Sequence, residues 1–217
     1  RTLPAHNFKN KLINGLLNIN QREVSGTVVL TVGVYGHDRY KAGISGCTYT
    51  FATVENVTTI TITAGSLIQV VEGLNLQSGV HTLSWVGTSQ CKIDAGAYGN
   101  SGISATLIGG TNATIEIGIG TFTKHQLEES PVATPFENRP IGTELALCQR
   151  YFEIGSVTRS GVIRNDTGGA ESTSFAVTKR VAPTMVNKGV VALLNFTGAT
   201  PNTTSETQFD HYPTGGS

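Results

Sequence analysis

From Thr27 to Leu127 the chain runs in short apolar stretches that alternate with polar residues and stop at Gly, Asn or Ser. The runs Thr27–Tyr35, Thr48–Val54, Thr58–Ala64, Leu67–Leu74, Val80–Val86, Cys91–Asp94, Ile103–Ile108 and Thr114–Leu127 each read as a strand. Glu55-Asn56, Gly65-Ser66, Gln77-Ser78-Gly79, Gly99 to Gly102 and Gly109-Gly110 supply the turns. The last run, TIEIGIGTFTKHQL, alternates along its length and predicts one long closing strand. About eight or nine strands at this spacing suit a jelly-roll β-sandwich. Before these, Asn10 to Asn20 carries Leu12, Ile13, Leu16 and Ile19 at helical spacing, but its asparagines and Gly15 argue for an extended lead-in strand.

The stretch Gln126–Phe152, QLEESPVATPFENRPIGTELALCQRYF, then breaks the β pattern. Pro131, Pro135 and Pro140 fix extended backbone. Glu128, Glu129, Glu137, Asn138 and Arg139 make it a polar surface linker, with Val132 and Phe136 as anchors. Thr143 is placed to cap a short helix with Glu144 in its first turn. Leu145, Cys148 and Tyr151/Phe152 give that helix a narrow apolar face. Beyond it, Val157–Arg164, Ser172–Val181, Val190–Phe196 and Glu206–Tyr212 read as strands. Asn165 to Gly169 and Val186 to Gly189 read as the turns between them. A unit this thin buries little core of its own, which favours oligomerisation. The expected organisation is all-β: residues 1–9 a connector, 10–141 a jelly-roll domain, and 142–217 a short helix with a small β domain.

The linker and helix run resembles a segment of bacteriophage tail fibre and tailspike proteins near their C-terminal ends. NKLINGLLNINQR at Asn10–Arg22, DRYKAG at Asp38–Gly43 and GVHTLSWVGTSQCKI at Gly79–Ile93 are similar to the same family. The resemblance implies a carbohydrate-binding-like jelly roll followed by a small terminal β domain, built as a homotrimer. It implies host surface polysaccharide as ligand, the virion as location after synthesis in the bacterial cytoplasm, and attachment to other tail proteins through an upstream region. The chain opens on Arg1 with no visible signal peptide and reads as part of a longer polypeptide. The family leaves two other readings open: the non-catalytic end of a capsule depolymerase, or a purely structural trimerisation module.

Charge argues in the same direction. Fifteen basic and 15 acidic side chains cancel, and only 14% of residues are charged, so there is no basic field for nucleic acid or anionic lipid. No run reaches the about eighteen apolar residues of a membrane span. Cys47, Cys91 and Cys148 match neither a disulfide framework nor a zinc site and read as small buried hydrophobes. The five N-x-[ST] sequons arise readily in an Asn- and Thr-rich β protein. Nucleophile-elbow, phosphate-loop and H-E-x-x-H patterns are missing, His6, His37, His81, His125 and His211 stand isolated, and no carboxylate pair among Asp38, Glu72, Asp94 and Glu116 stands out. The chain therefore reads as non-catalytic and without a cofactor.

Sugar binding needs an aromatic platform flanked by planar polar groups. The aromatic candidates are Trp85, Tyr40, Tyr98 and Tyr35, with Asp38, Arg39, His37 and Gln90 as polar partners. Trp85 shares a strand face with Leu83, and Tyr40 occupies a position that packs inward in the family, so both also fit the core. Asp38 and Arg39 also fit a salt bridge fixing a turn. Tyr98, in the glycine-rich AGAYGNSG loop, is the foremost contact candidate.

Overall fold

The computed structural model describes residues 8–155, 171–186, 196–203 and 208–215. They fall into two compact units that divide between Cys148 and Gln149. The first contains β1 (Val28–Leu30), β2 (Lys41–Val54), β3 (Val57–Val71), β4 (Gly79–Val86), β5 (Cys91–Ile93), β6 (Ile103–Leu107), β7 (Ala113–Ile117), β8 (Gly120–Glu129) and, up to the division, the helix α1 (Ile141–Gln149). All eight strands join in one antiparallel sheet.

The sheet is organised by the β2–β3 hairpin. Its two-residue turn places Glu55 and Asn56 at φ of 50° and 63°, the left-handed pair of a primed hairpin turn. Halfway along, the hairpin bends. Ala42 pairs with Leu67 but Cys47 pairs with Gly65, so four residues of β2 face Ser66 alone. Gly46 and Gly65 sit at φ of 74° and 70° in this bulge. A Cβ on Gly65 would lie 2.1 Å from the Gly46 carbonyl oxygen. The Gly65-Ser66 pair expected to end a strand is therefore a kink inside one, because β2 continues alongside it.

Past the kink the sheet forks. Ile60 to Ile62 pair with β8, which passes on to β4 and β6, whereas Leu67 to Val71 pair with β7, which passes on to β5. The expected single strand Thr114–Leu127 is thus two, bent at Gly118 and Gly120. Both branches bury side chains in one core. Leu67, Cys91, Ile115 and Ile117 come from one side, and Ile60, Ile62, Leu83, Trp85, Phe122 and Leu127 from the other.

Two expected strands fold differently. Thr27–Tyr35 is a three-residue strand followed by a turn at Gly33 and an isolated bridge from Tyr35 to Lys41. The Asn10–Asn20 lead-in is a series of turns with Asn14 and Leu17 at positive φ. Asparagine tolerates this backbone, and its amide replaces missing ladder partners. The Asn14 amide bonds the carbonyls of Ile19 and Asp38 and accepts from the Ile19 N–H. Leu12, Leu17 and Ile19 are buried.

Helix α1 starts at Ile141, with the Glu144 N–H bonding the Pro140 carbonyl, so Thr143 lies inside it rather than at its cap. Its buried residues are Glu144 and Cys148, whereas Leu145 is half-buried. Inserting those two residues places most of the helix in the first unit, ahead of the boundary expected at residue 142.

In the second unit, β9 (Glu171–Ser174), β10 (Phe196–Thr203) and β11 (Gln208–Gly215) form an antiparallel sheet in the order β10-β11-β9. The expected strand over 157–164 and turn over 165–169 lie outside the described residues, as do 187–189 of the second expected turn and 190–195 of the third expected strand. Lys179 is buried, donating to the Gln149 carbonyl and pairing with Glu153.

Candidate functional site

Of the residues nominated for sugar contact, five are enclosed, and Tyr35 is exposed. Tyr40 is fully buried, with its hydroxyl 3.2 Å from His125 Nδ1 and its ring against Phe122. Burial pushes its phenol well above the ordinary range, and the nearby Glu144 carboxylate adds to the effect. Trp85 is buried and donates its indole N–H to the Ser89 carbonyl at 3.0 Å. Asp38 accepts from the backbone and side chain of Gln21 at 2.6 and 2.9 Å and from Arg22 at 3.3 Å. Its ion-pair partner is Arg22, not the adjacent Arg39. Arg39 instead turns inward at φ 74° and donates to the Val70 carbonyl at 2.6 Å. These four side chains hold the fold together and present no face to a ligand. His37 is buried too, beside Tyr49 and Phe51.

Tyr98 and Gln90 are exposed, and the Tyr98 ring and the Gln90 carbonyl both lie beside Gly118. Cys91 and Gly99 form an isolated bridge that folds the loop back over β5. A Cβ on Gly118 would stand 3.3 Å from both the Tyr98 ring and the Gln90 carbonyl, so the ring rests on backbone that only glycine leaves bare. The Tyr98 hydroxyl and the Glu116 carboxylate lie close enough to shift each other's titration. Ser66 donates to Glu116 at 2.6 Å, and Lys92 pairs with it at 2.9 Å while sitting 5.0 Å from the Tyr98 ring centre. Burial and the Glu116 carboxylate push the Tyr98 phenol up to about 12. Burial pulls Glu116 upward, but hydrogen bonds from Ser66, Lys92 and Tyr98 outweigh it and the net shift is downward.

Strand alternation turns Lys92, Glu116 and Ile68 to one outer face, since their neighbours Ile93, Ile115, Ile117 and Leu67 are buried. This yields an aromatic ring, 42% exposed, beside a neutralised ion pair on the outer face of the sheet. Such a surface offers C–H packing and several hydrogen-bonding groups without net charge, the requirements of a sugar ring. The hydrophobic periodicity of β5 and β7 predicts which side chains point outward. The Gly118 contact that seats the ring is invisible in it.

A second polar network was missed entirely. Glu128, expected on a solvated surface, is buried. It accepts from Thr134 N and Oγ at 2.8 and 2.6 Å and from Gln126 at 2.9 Å. Glu137 accepts from the backbone of Lys9 and Asn10 at 3.2 and 2.8 Å. Glu144 accepts from the Asn14 backbone and pairs with Arg139 at 3.1 Å, and Arg139 also donates to the Leu12 carbonyl. Phe136 packs against Gly15, whereas Val132, the other expected anchor, is 65% exposed. The linker is therefore a strap whose carboxylates bind the N-terminal turns. The side-chain amide of Asn10 completes it by bonding the His125 carbonyl and accepting from the Leu127 N–H.

Among the described residues no three His, Cys, Asp or Glu side chains converge as a metal site, and no helix is long and apolar enough to cross a membrane. No known family model, curated protein or solved structure matches this chain.

Proposed function

We propose that this chain is the distal part of a phage tail fibre or tailspike that recognises host surface polysaccharide. In this reading the first unit is a jelly-roll glycan-binding module and the second belongs to the tip of a homotrimer. The observation that carries it is the Tyr98 ring, exposed yet packed over Gly118 and beneath Lys92, which Glu116 holds in an ion pair. A packed aromatic loses little conformational entropy on contact, which is what a weak single site requires. Three such sites on one fibre would multiply weak affinities through effective concentration.

The resemblance of Asn10–Arg22 and Gln126–Phe152 to tail fibre sequences gives further support, since the two stretches meet in the strap. The test combines light scattering over a range of concentrations with a screen of purified bacterial polysaccharides. The expected result is a concentration-independent trimer that retains a glycan and loses it on Tyr98→Ala. A stable trimer that retains none would favour a structural module, and turnover of capsule by this chain would overturn the non-catalytic reading.

A further inference from the structure

The unused feature with most chemistry is a cleft of about 130 Å³ at the far end of β7 from Tyr98. Its buried floor is apolar, formed by Leu107 and Ala113, and Ile108 lies exposed along one side. Its polar walls are Asp94, Thr106, Thr111 and Asn112. Asp94 sits at φ 50° after β5 and is clamped to β7, its N–H donating to the Thr114 carbonyl and its side chain accepting from the Thr114 N–H. Asp94 Oδ1 accepts from the Thr114 N–H at 2.6 Å, which ties down the carboxylate, and a carboxylate keeps further acceptor capacity beyond that one bond. Asn112 is exposed, and its Oδ1 accepts from the Gly73 N–H at 2.8 Å, which ties down the amide. The threonine hydroxyls can donate or accept.

We infer that this cleft is a second saccharide subsite, specific for an uncharged sugar unit of the same chain that rests on Tyr98. The inference rests on the glycan-binding reading above. Its volume is below the roughly 300 Å³ at which whole-ligand pockets begin, which suits one sugar ring rather than a larger molecule. The apolar floor receives a C–H face, and the oriented carboxylate accepts from hydroxyls in charge-assisted bonds, the strong kind.

Charge decides the class. No Lys or Arg lines the cleft, and Lys92, two residues from Asp94, is committed to Glu116 at 2.9 Å. A uronate or sialate would meet Asp94 with no counter-charge. Thr114, beside the cleft, and Gly118, under Tyr98, lie four residues apart, or about 13 Å at the usual strand rise. A short oligosaccharide bridges that distance.

The experiment measures retention of a panel of purified bacterial polysaccharides, half uncharged and half bearing uronic or sialic acid, by the full chain. Asp94→Asn keeps the Thr114 acceptor but removes the charge, and Thr111→Trp fills the cleft from an exposed position. Thermal melting of both variants checks the fold. The expected result is that uncharged polymers are retained equally at low and high salt, about tenfold more weakly by Asp94→Asn, and not at all by Thr111→Trp. Unchanged retention by both variants, with loss only on Tyr98→Ala, overturns the second subsite and leaves the glycan-binding reading standing. Salt-sensitive retention of anionic polymers overturns the uncharged class. Retention of nothing in the panel overturns both readings.

Discussion

His125 predicts an acid instability whose size follows from its surroundings. It is fully buried on β8, with Phe122 and Trp85 edge-on at 5.6 and 6.3 Å and the Tyr40 hydroxyl at Nδ1. Its Nε2 has no hydrogen-bond partner among the described residues. Burial pushes its pKa from the ordinary 6.5 down to about 3, and burial also lowers His37 to about 4. A histidine with a depressed native pKa binds fewer protons folded than unfolded. Its stabilisation is complete above the ordinary value and is lost as pH falls below it, by about 1.4 kcal/mol per pH unit. Between pH 7 and pH 5 each of the two histidines then removes about 2 kcal/mol.

Asp38 and Glu144 are raised by burial and act in the opposite sense, so the net drop is smaller than the sum. His125→Asn isolates one contribution while leaving a polar group near the Tyr40 hydroxyl. Urea unfolding followed by the emission of Trp85, the single tryptophan, reports on the first unit. The expected outcome is that the parent loses about 2 kcal/mol more than the variant between the two pH values. An equal loss in both would refute the claim that His125 is held neutral by its burial.

Three further outcomes follow from the packing. Arg139→Ala leaves the buried Glu144 carboxylate without its ion partner and should cost about 3 kcal/mol, measured by the same urea titration, whereas a solvated linker arginine would cost almost nothing. Gly65→Ala drives a Cβ to 2.1 Å from the Gly46 oxygen at positive φ, so the melting temperature should fall sharply or soluble protein be lost. The thiols of Cys47, Cys91 and Cys148 are buried, and burial raises all three, Cys47 to about 12. They should resist a thiol reagent in native buffer at neutral pH and react fully in denaturant. Rapid native labelling of any one would place it at the surface.

Strand existence was legible from the sequence because period-two burial depends only on neighbouring residues. The all-β class, the Glu55-Asn56 turn and the burial of the three cysteines follow from that local information. Connectivity was less legible. Gly65-Ser66 and Gly118 carry the same composition as turns, and only the partner strand beside them decides that one is a kink and the other a bend. The candidate site was half visible. Tyr98 stood out through its glycine-rich loop, while Tyr40, Trp85, Asp38 and Arg39 required knowledge of which residues surround them. The strap was hidden for a different reason. Glu128 and Glu144 look solvated as isolated charges, and their partners lie 130 residues away at Asn14 or as close as Thr134 and Arg139. Polarity alone cannot separate a wet carboxylate from one that replaces a strand's missing neighbours.

That strap has an evolutionary consequence. Because Glu137 and Glu144 grip the backbone of residues 9, 10 and 14, the first unit closes on itself where its chain arrives and departs. Nothing in that closure involves β5, the Tyr98 loop or the cleft beyond it. A segment running from the N-terminal turns to the helix is therefore expected to keep its fold when joined to other chains, and substitutions in the Tyr98 loop are expected to leave the clasp intact.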